Sequence, residues 1–349
     1  MDQADVLKKV MGMMHASKLH QLTPASVHGV GVIFMMHRVR KEPVPEFSPN
    51  RILQITPDFL TDVIALTKSL DYDLVSLDEA IHRLQTFNFK RRFAAFTFDD
   101  GYADNVTQAL PVFERHDVPF TVYLNSGMPD GTSELWWLGL EQTIQRAERL
   151  ICTLEGVDYD LPCKTAQEKD AAFSTLYWPI RRLPETELRD FVRELAASHD
   201  IELLSITRDV SMSWDQARTL NAHPLATLGS HTVDHFAMRK LNELKAREEV
   251  LQCNRRMQEE LSFMPEHFAY PYGDAGSAGE RDFKIIQDLG FKSAVTTRKG
   301  LIMPDHGKTS MSLPRLSLNG DYQDLRFIEV LLSGIPFAMA RAVPHFGAA

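Results

Sequence analysis

The chain has 349 residues, 44% of them apolar and 24% charged, which is material for one large packed domain or two small ones. Its formal charge of −9 gives no support to non-specific binding of nucleic acid or of an anionic membrane, and suits a neutral or partly cationic substrate. Cys152, Cys163 and Cys253 are odd in number and form no CxxC pair, so they suggest neither a disulfide framework nor a cysteine zinc site.

The chain opens on Met1 to Asp5 and then Lys8-Lys9, without an apolar run of signal-peptide length, so a cytoplasmic protein is expected. Residues 1–28 read as a helical extension. The first strand candidate is Gly31-Val32-Ile33-Phe34-Met35-Met36, apolar throughout and followed directly by His37. A helical pattern runs from Thr56 to Leu70, with Pro57 at its first turn. The second strand candidate, Phe93 to Phe98, leads into Asp99-Asp100-Gly101-Tyr102. A helix over Asn105 to His116 and a strand over Phe120 to Leu124 come next.

From Gly127 to His223 the rhythm breaks. This segment shows helical spacing at Glu134 to Leu150 and Pro184 to His199 and no convincing strand, and is expected to be a largely helical insertion in one βα connection. Its Trp136, Trp137 and Trp178 suit either the insertion's core or a platform for sugar rings.

Strand patterns resume at Ala226 to Gly229, Phe268 to Tyr270, Ser293 to Thr296 and Leu313 to Leu318, with a charged helix over Asn242 to Leu261. Near-continuous apolar strands alternating with helices predict an α/β fold, a distorted (β/α) barrel of about seven parallel strands with its core over residues 30–320. Residues 321–349 read as a second terminal extension. Within it, the apolar stretch Phe327 to Ala340 is too short to span a membrane and carries Glu329 and Pro336, so it is expected to be a packed terminal helix, the alternative being an interfacial anchor.

Two adjacent carboxylates at the end of an apolar strand are costly near a core unless a positive group holds them, and a metal ion would do so. The alternation of a strand, broken by the turn at Gly101, lets one carboxylate bind metal while its neighbour stays free as a base. His231-Thr232-Val233-Asp234-His235 adds two imidazoles at i and i+4, which on a helical turn would face one ion. Asp-Asp-Gly alone is a common turn and such histidine pairs also occur on solvated helices. The two signals are informative together.

Thr97 to Tyr102 resembles the first motif of polysaccharide deacetylases with the NodB homology domain, and Ser230 to His235 resembles the second. The resemblance implies Asp99 as catalytic base and Asp100, His231 and His235 as ligands of a divalent metal, commonly zinc. Phe268 to Gly273 is similar to the third motif, which implies that the Tyr272 N–H serves the oxyanion. Many members carry an arginine where this chain has Ala269, and Arg315 in Leu313-Pro314-Arg315-Leu316 is the candidate substitute. No C-terminal stretch matches the last motif's histidine. Met35 to Val39 is similar to the branch in which that motif comes first, which implies His37 as general acid, with His306 as competitor.

On this resemblance the chain is expected to remove N-acetyl groups from an N-acetylglucosamine-containing oligo- or polysaccharide. The alternatives are a carbohydrate-binding protein that keeps only the fold, and a deacetylase of a lipid-linked sugar working peripherally on the inner membrane.

Overall fold

The computed structural model describes residues 3–24 and 27–342. Seven parallel strands close a barrel: β1 (Gly31–Met36), β2 (Phe93–Phe98), β3 (Phe120–Leu124), β4 (Ala226–Ser230), β5 (His267–Ala269), β6 (Ser293–Lys299) and β7 (Leu313–Ser317). Each strand pairs with its neighbours in sequence, and β1 closes the ring by pairing with both β2 and β7. Closure is uneven. β1 and β2 are in register along their whole length, whereas β4 meets β5 only at Ser230 and Phe268, and β6 shifts register against β7 between Val295 and Lys299. The barrel is therefore distorted, as the sequence predicts.

Alternation along the strands builds two cores. Ile33, Phe93, Ala95, Tyr123, Ala269, Val295 and Leu313 fill the interior, closed at the strands' N-terminal end by helix Leu77–Thr86. Phe34, Phe96, Phe98 and Val122 point outward onto helices Pro57–Ser69, Leu110–His116 and Glu243–Leu261. Inward parity places Thr97 and Asp99 of the β2 end and Arg315 of β7 at the barrel's C-terminal mouth.

The segment between β3 and β4 holds five helices: Trp136–Arg146, Ala166–Arg182, Glu185–Ala197, Leu203–Val210 and Trp214–Asn221. The expectation that it lacks strands is corrected. Arg149–Leu154 and Val157–Pro162 form an antiparallel hairpin, turned by Glu155 and Gly156, both at positive φ. The helix expected to reach Leu150 ends at Arg146. Trp136 and Trp137 are buried in the insertion's own core with Leu140, Ile144, Phe173, Leu188 and Val192, while Trp178 is 63% exposed.

At the chain ends, helix Gln3–Ala16 packs on helix Leu325–Leu332 through Met11, Phe327 and Val330. The stretch expected as one terminal helix is two, because the chain turns at Gly334, whose φ is +75° and which has no room for a Cβ against the Val27 carbonyl. The predicted extension's last residues, 343–349, and residues 1–2 lie outside the described residues. No helix among the described residues is long and apolar enough to cross a membrane.

Candidate metal centre and active site

Asp99 and Asp100 leave the end of β2 in different directions and are both 2% exposed. Asp99 continues the inward parity of the strand, and the chain then turns at Asp100 and Gly101, with φ of 76° and 95°. The departure from strand geometry thus begins one residue before the glycine named from sequence. Gly101 is required at its position, since a Cβ would lie 2.4 Å from Leu124 Cδ1.

Asp100 Oδ1 lies 3.4 Å from His231 Nε2 and 3.3 Å from His235 Nε2. The two histidines follow β4, but not on a helical turn: residues 231–237 are irregular, with Thr232 and His235 at positive φ, and this corrects the expected helical i, i+4 geometry. Two side chains hold that loop. The buried Glu249 accepts the N–H groups of Val233 at 3.3 Å and Asp234 at 3.0 Å. Arg189 of the insertion donates to the Asp234 carbonyl at 2.7 Å while paired at 2.8 Å with Glu185 Oε2, all within the core.

One ligand atom from each of Asp100, His231 and His235 lies within 4.8 Å of the other two, and all three residues are buried. The chemistry of this donor set fits a divalent transition metal. Among the described residues Asp100 Oδ1 has no hydrogen-bond partner despite its burial, a cost that a bound cation would remove. His231 Nδ1 bonds the Ala269 carbonyl at 2.7 Å, which leaves the lone pair on Nε2, as metal-binding imidazoles require. Burial lowers the pKa of His235 against the opposing pull of Asp100, favouring its neutral form. Among the described residues His235 gains no partner at Nδ1, and its ring is instead placed by Trp137 and Tyr272, with centroids 5.0 and 4.6 Å away.

Arg315 Nη1 and Nη2 donate to Asp99 Oδ1 and Oδ2 at 2.7 and 2.6 Å, and Nε donates to the Thr296 carbonyl at 2.9 Å. Both oxygens of Asp99 are thus held by one guanidinium, while Ala269 is packed in the barrel interior. Burial acts to raise Asp99, but the Arg315 charge and hydrogen bonds hold it below its ordinary value.

His37 leaves β1 half-buried beside the same mouth, near enough for its charge to act on both Asp99 and Asp100. Its backbone is pinned from both sides: Asn105 Nδ2 donates to the His37 carbonyl at 2.8 Å, and Asp104 accepts the Val39 N–H at 3.0 Å and the Arg38 guanidinium at 2.8 Å. His306 is elsewhere. It lies on the turn Pro304–Lys308, which packs on helix Leu77–Thr86 at the closed end of the barrel.

Tyr272, at φ 60°, is locked by its side chain: Trp136 Nε1 donates to its hydroxyl at 2.7 Å, and the Arg181 guanidinium lies 3.7 Å from its ring centre. Its carbonyl accepts from Thr297 Oγ1, and its N–H donates to no acceptor among the described residues. Sequence reasoning missed Arg181, Arg189 and Glu249. Its available signal was the i, i+4 spacing of Arg181, Glu185 and Arg189 on an otherwise amphipathic helical pattern.

The sequence matches the polysaccharide deacetylase family over residues 87–149 and 196–294, leaving out the insertion's hairpin beyond Arg149, its helix Ala166–Arg182 and nearly all of its helix Glu185–Ala197. No curated protein matches it in sequence. Among solved structures, the chain is similar in fold to the Streptococcus pyogenes deacetylase PplD in complex with acetate. The TM-score is 0.57 and the identity 15%, over 86% of this chain and 97% of that one. It is also similar to IcaB from Ammonifex degensii, with TM-score 0.54 and 17% identity over 87% and 97% of the two chains. A de-N-acetylase from Aggregatibacter actinomycetemcomitans gives TM-score 0.53 and 13% identity over 86% and 99%. With the matched segments folding into this barrel around the Asp100, His231 and His235 cluster, the chain is similar to the polysaccharide deacetylase family in the sequence of those segments and to solved deacetylases in fold.

Proposed function

We propose that the chain hydrolyses the N-acetyl group of an N-acetylglucosamine-containing oligo- or polysaccharide, using a divalent metal, zinc by ligand type, held by Asp100, His231 and His235. The observation that carries this reading is the adjacency, at one barrel mouth, of that cluster and a buried carboxylate gripped by an arginine. When bound, such an ion polarises an amide carbonyl and acidifies water at neutral pH.

Asp99 accepts the proton of the attacking water. Arg315 keeps its carboxylate ionised and fixed in orientation, so no side-chain freedom is lost at the moment of reaction. The Tyr272 N–H donates to the carbonyl oxygen as negative charge develops there, and its fixed ring keeps that donor in place. His37, on the strand next to Asp99, protonates the departing sugar nitrogen.

The alternative of a fold-only carbohydrate-binding protein has the missing motif arginine as its argument, and the grip of Arg315 on Asp99 supports the hydrolase reading against it. A lipid-linked or membrane-surface sugar has one observation in its favour: Met13, Leu19, Leu22 and Met339 of the terminal segments are 46 to 80% exposed. Acetate release from a panel of acetylated amino sugars, soluble and lipid-linked, with zinc or cobalt supplied, tests the reading. Turnover confined to the lipid-linked members would favour the second substrate class, and none on any member would reject both.

A further inference from the structure

A second set of metal-ligating side chains, sharing no residue with the first, lies where the N-terminal helix packs on helix Leu325–Leu332. His15 stands in the last turn of helix Gln3–Ala16, His20 in the 3-10 turn Leu19–Leu22, and Glu329 in helix Leu325–Leu332. His15 Nε2 is 2.8 Å from Glu329 Oε2, and His20 Nε2 is 3.7 Å from the same oxygen. One ligand atom from each residue lies within 4.8 Å of the other two. We infer that His15, His20 and Glu329 form a second divalent transition-metal site, which fastens the N-terminal helix to the C-terminal one.

Three features support this beyond proximity. The two imidazole rings lie parallel, 8° apart with centroids 5.0 Å apart, so both present the same edge to the carboxylate. His20 is 7% exposed, and its Nδ1 bonds the Met14 carbonyl at 3.3 Å, which leaves the Nε2 lone pair facing the cluster. That carbonyl belongs to the residue before His15, so one turn of backbone sets both ligands. Two imidazoles and one carboxylate select zinc, nickel or cobalt over calcium or magnesium, which take oxygen ligands. None of the three residues is among those gathered at the barrel mouth, where Asp100, His231 and His235 form a cluster of their own.

The cluster joins positions 314 residues apart in sequence. Among the described residues, Met11, Phe327, Val330 and their neighbours pack the N-terminal helix onto its partner, a small apolar contact for a terminal element. An ion bound there would add a link that the unfolded chain lacks.

The test is a metal count on the full chain, stripped by chelator and dialysed against zinc. The wild type is expected to retain two equivalents, a His231→Ala, His235→Ala variant one, and a His20→Ala, Glu329→Gln variant one, with acetate release unchanged in the last. Retention of a single equivalent by the wild type, or of two by the His20→Ala, Glu329→Gln variant, would overturn the inference. A fold-independent check is limited proteolysis of the wild type: zinc is expected to slow cleavage within residues 3–24. Cleavage equally fast with and without zinc would contradict the site.

Discussion

The Arg315 guanidinium meets the Asp99 carboxylate edge to edge, with two parallel hydrogen bonds of 2.7 and 2.6 Å between groups almost wholly excluded from water. Strand β7 thereby supplies the positive charge that lets a carboxylate remain ionised at the end of β2. Removing one partner leaves the other buried and uncompensated, whereas removing both does not.

For Arg315→Met, a loss of about 3–5 kcal/mol of folding stability is expected, with Asp99→Asn recovering part of it in the double variant. Chemical denaturation of the four proteins measures this. Losses that simply add would show that the pair is not coupled.

Arg189 acts at one remove from the metal ligands. Its bond to the Asp234 carbonyl fixes the loop whose left-handed residues, Thr232 and His235, would otherwise relax. Arg189→Met is expected to weaken zinc retention by about 10- to 100-fold, as loss of supporting hydrogen bonds around metal ligands does, with turnover largely restored at saturating zinc. Competition against a chromogenic chelator reads the affinity. An unchanged zinc affinity would reduce Arg189 to a packing residue.

The two candidate acids separate cleanly by position. His37→Ala is expected to lower kcat by about 10²- to 10⁴-fold while metal content stays normal. His306→Ala, at the closed end of the barrel, should leave kcat within about twofold of wild type, since it lies away from the mouth. Steady-state acetate release with parallel metal analysis distinguishes them.

At the closed end, Asp78 ties the plugging helix to the barrel. The hydrogen bond from His267 at 3.3 Å, helped by Lys292, holds its pKa at about 2, below the ordinary 3.8. A depressed carboxylate pKa contributes stability above about pH 4 that disappears as pH falls through about 2. Asp78→Asn should therefore cost less than about 1 kcal/mol at pH 7, the group being half-exposed, and nothing near pH 2. Thermal melts of the two proteins across that range check the sign.

The strands were legible because a parallel barrel buries both strand faces, so β1, β2 and β3 stand out as unbroken apolar runs bounded by turns. The hairpin Arg149–Leu154/Val157–Pro162 was missed although Leu150 and Leu154 alternate with exposed residues and Glu155-Gly156 is a two-residue turn. The neighbouring helical spacing masked that period. At the site, Asp99, Asp100, His231 and His235 were readable as motifs, and Arg315 as a charge inside a strand. Arg189 and Glu249 were not, because they bind backbone groups of a loop that only the folded chain brings to them. Through Arg189, the unmatched part of the insertion thus supports the metal loop from outside the segments that resemble the family.

Metal-dependent N-deacetylation with Asp99 as base is decided by measuring zinc content and acetate release from N-acetylglucosamine oligomers on the same preparations of wild type and Asp99→Asn. Zinc is expected at the barrel site in both, with acetate release abolished in Asp99→Asn and wild-type release lost to chelator and regained with zinc. Near-normal acetate release by Asp99→Asn, or wild-type release that survives exhaustive metal removal, would contradict it.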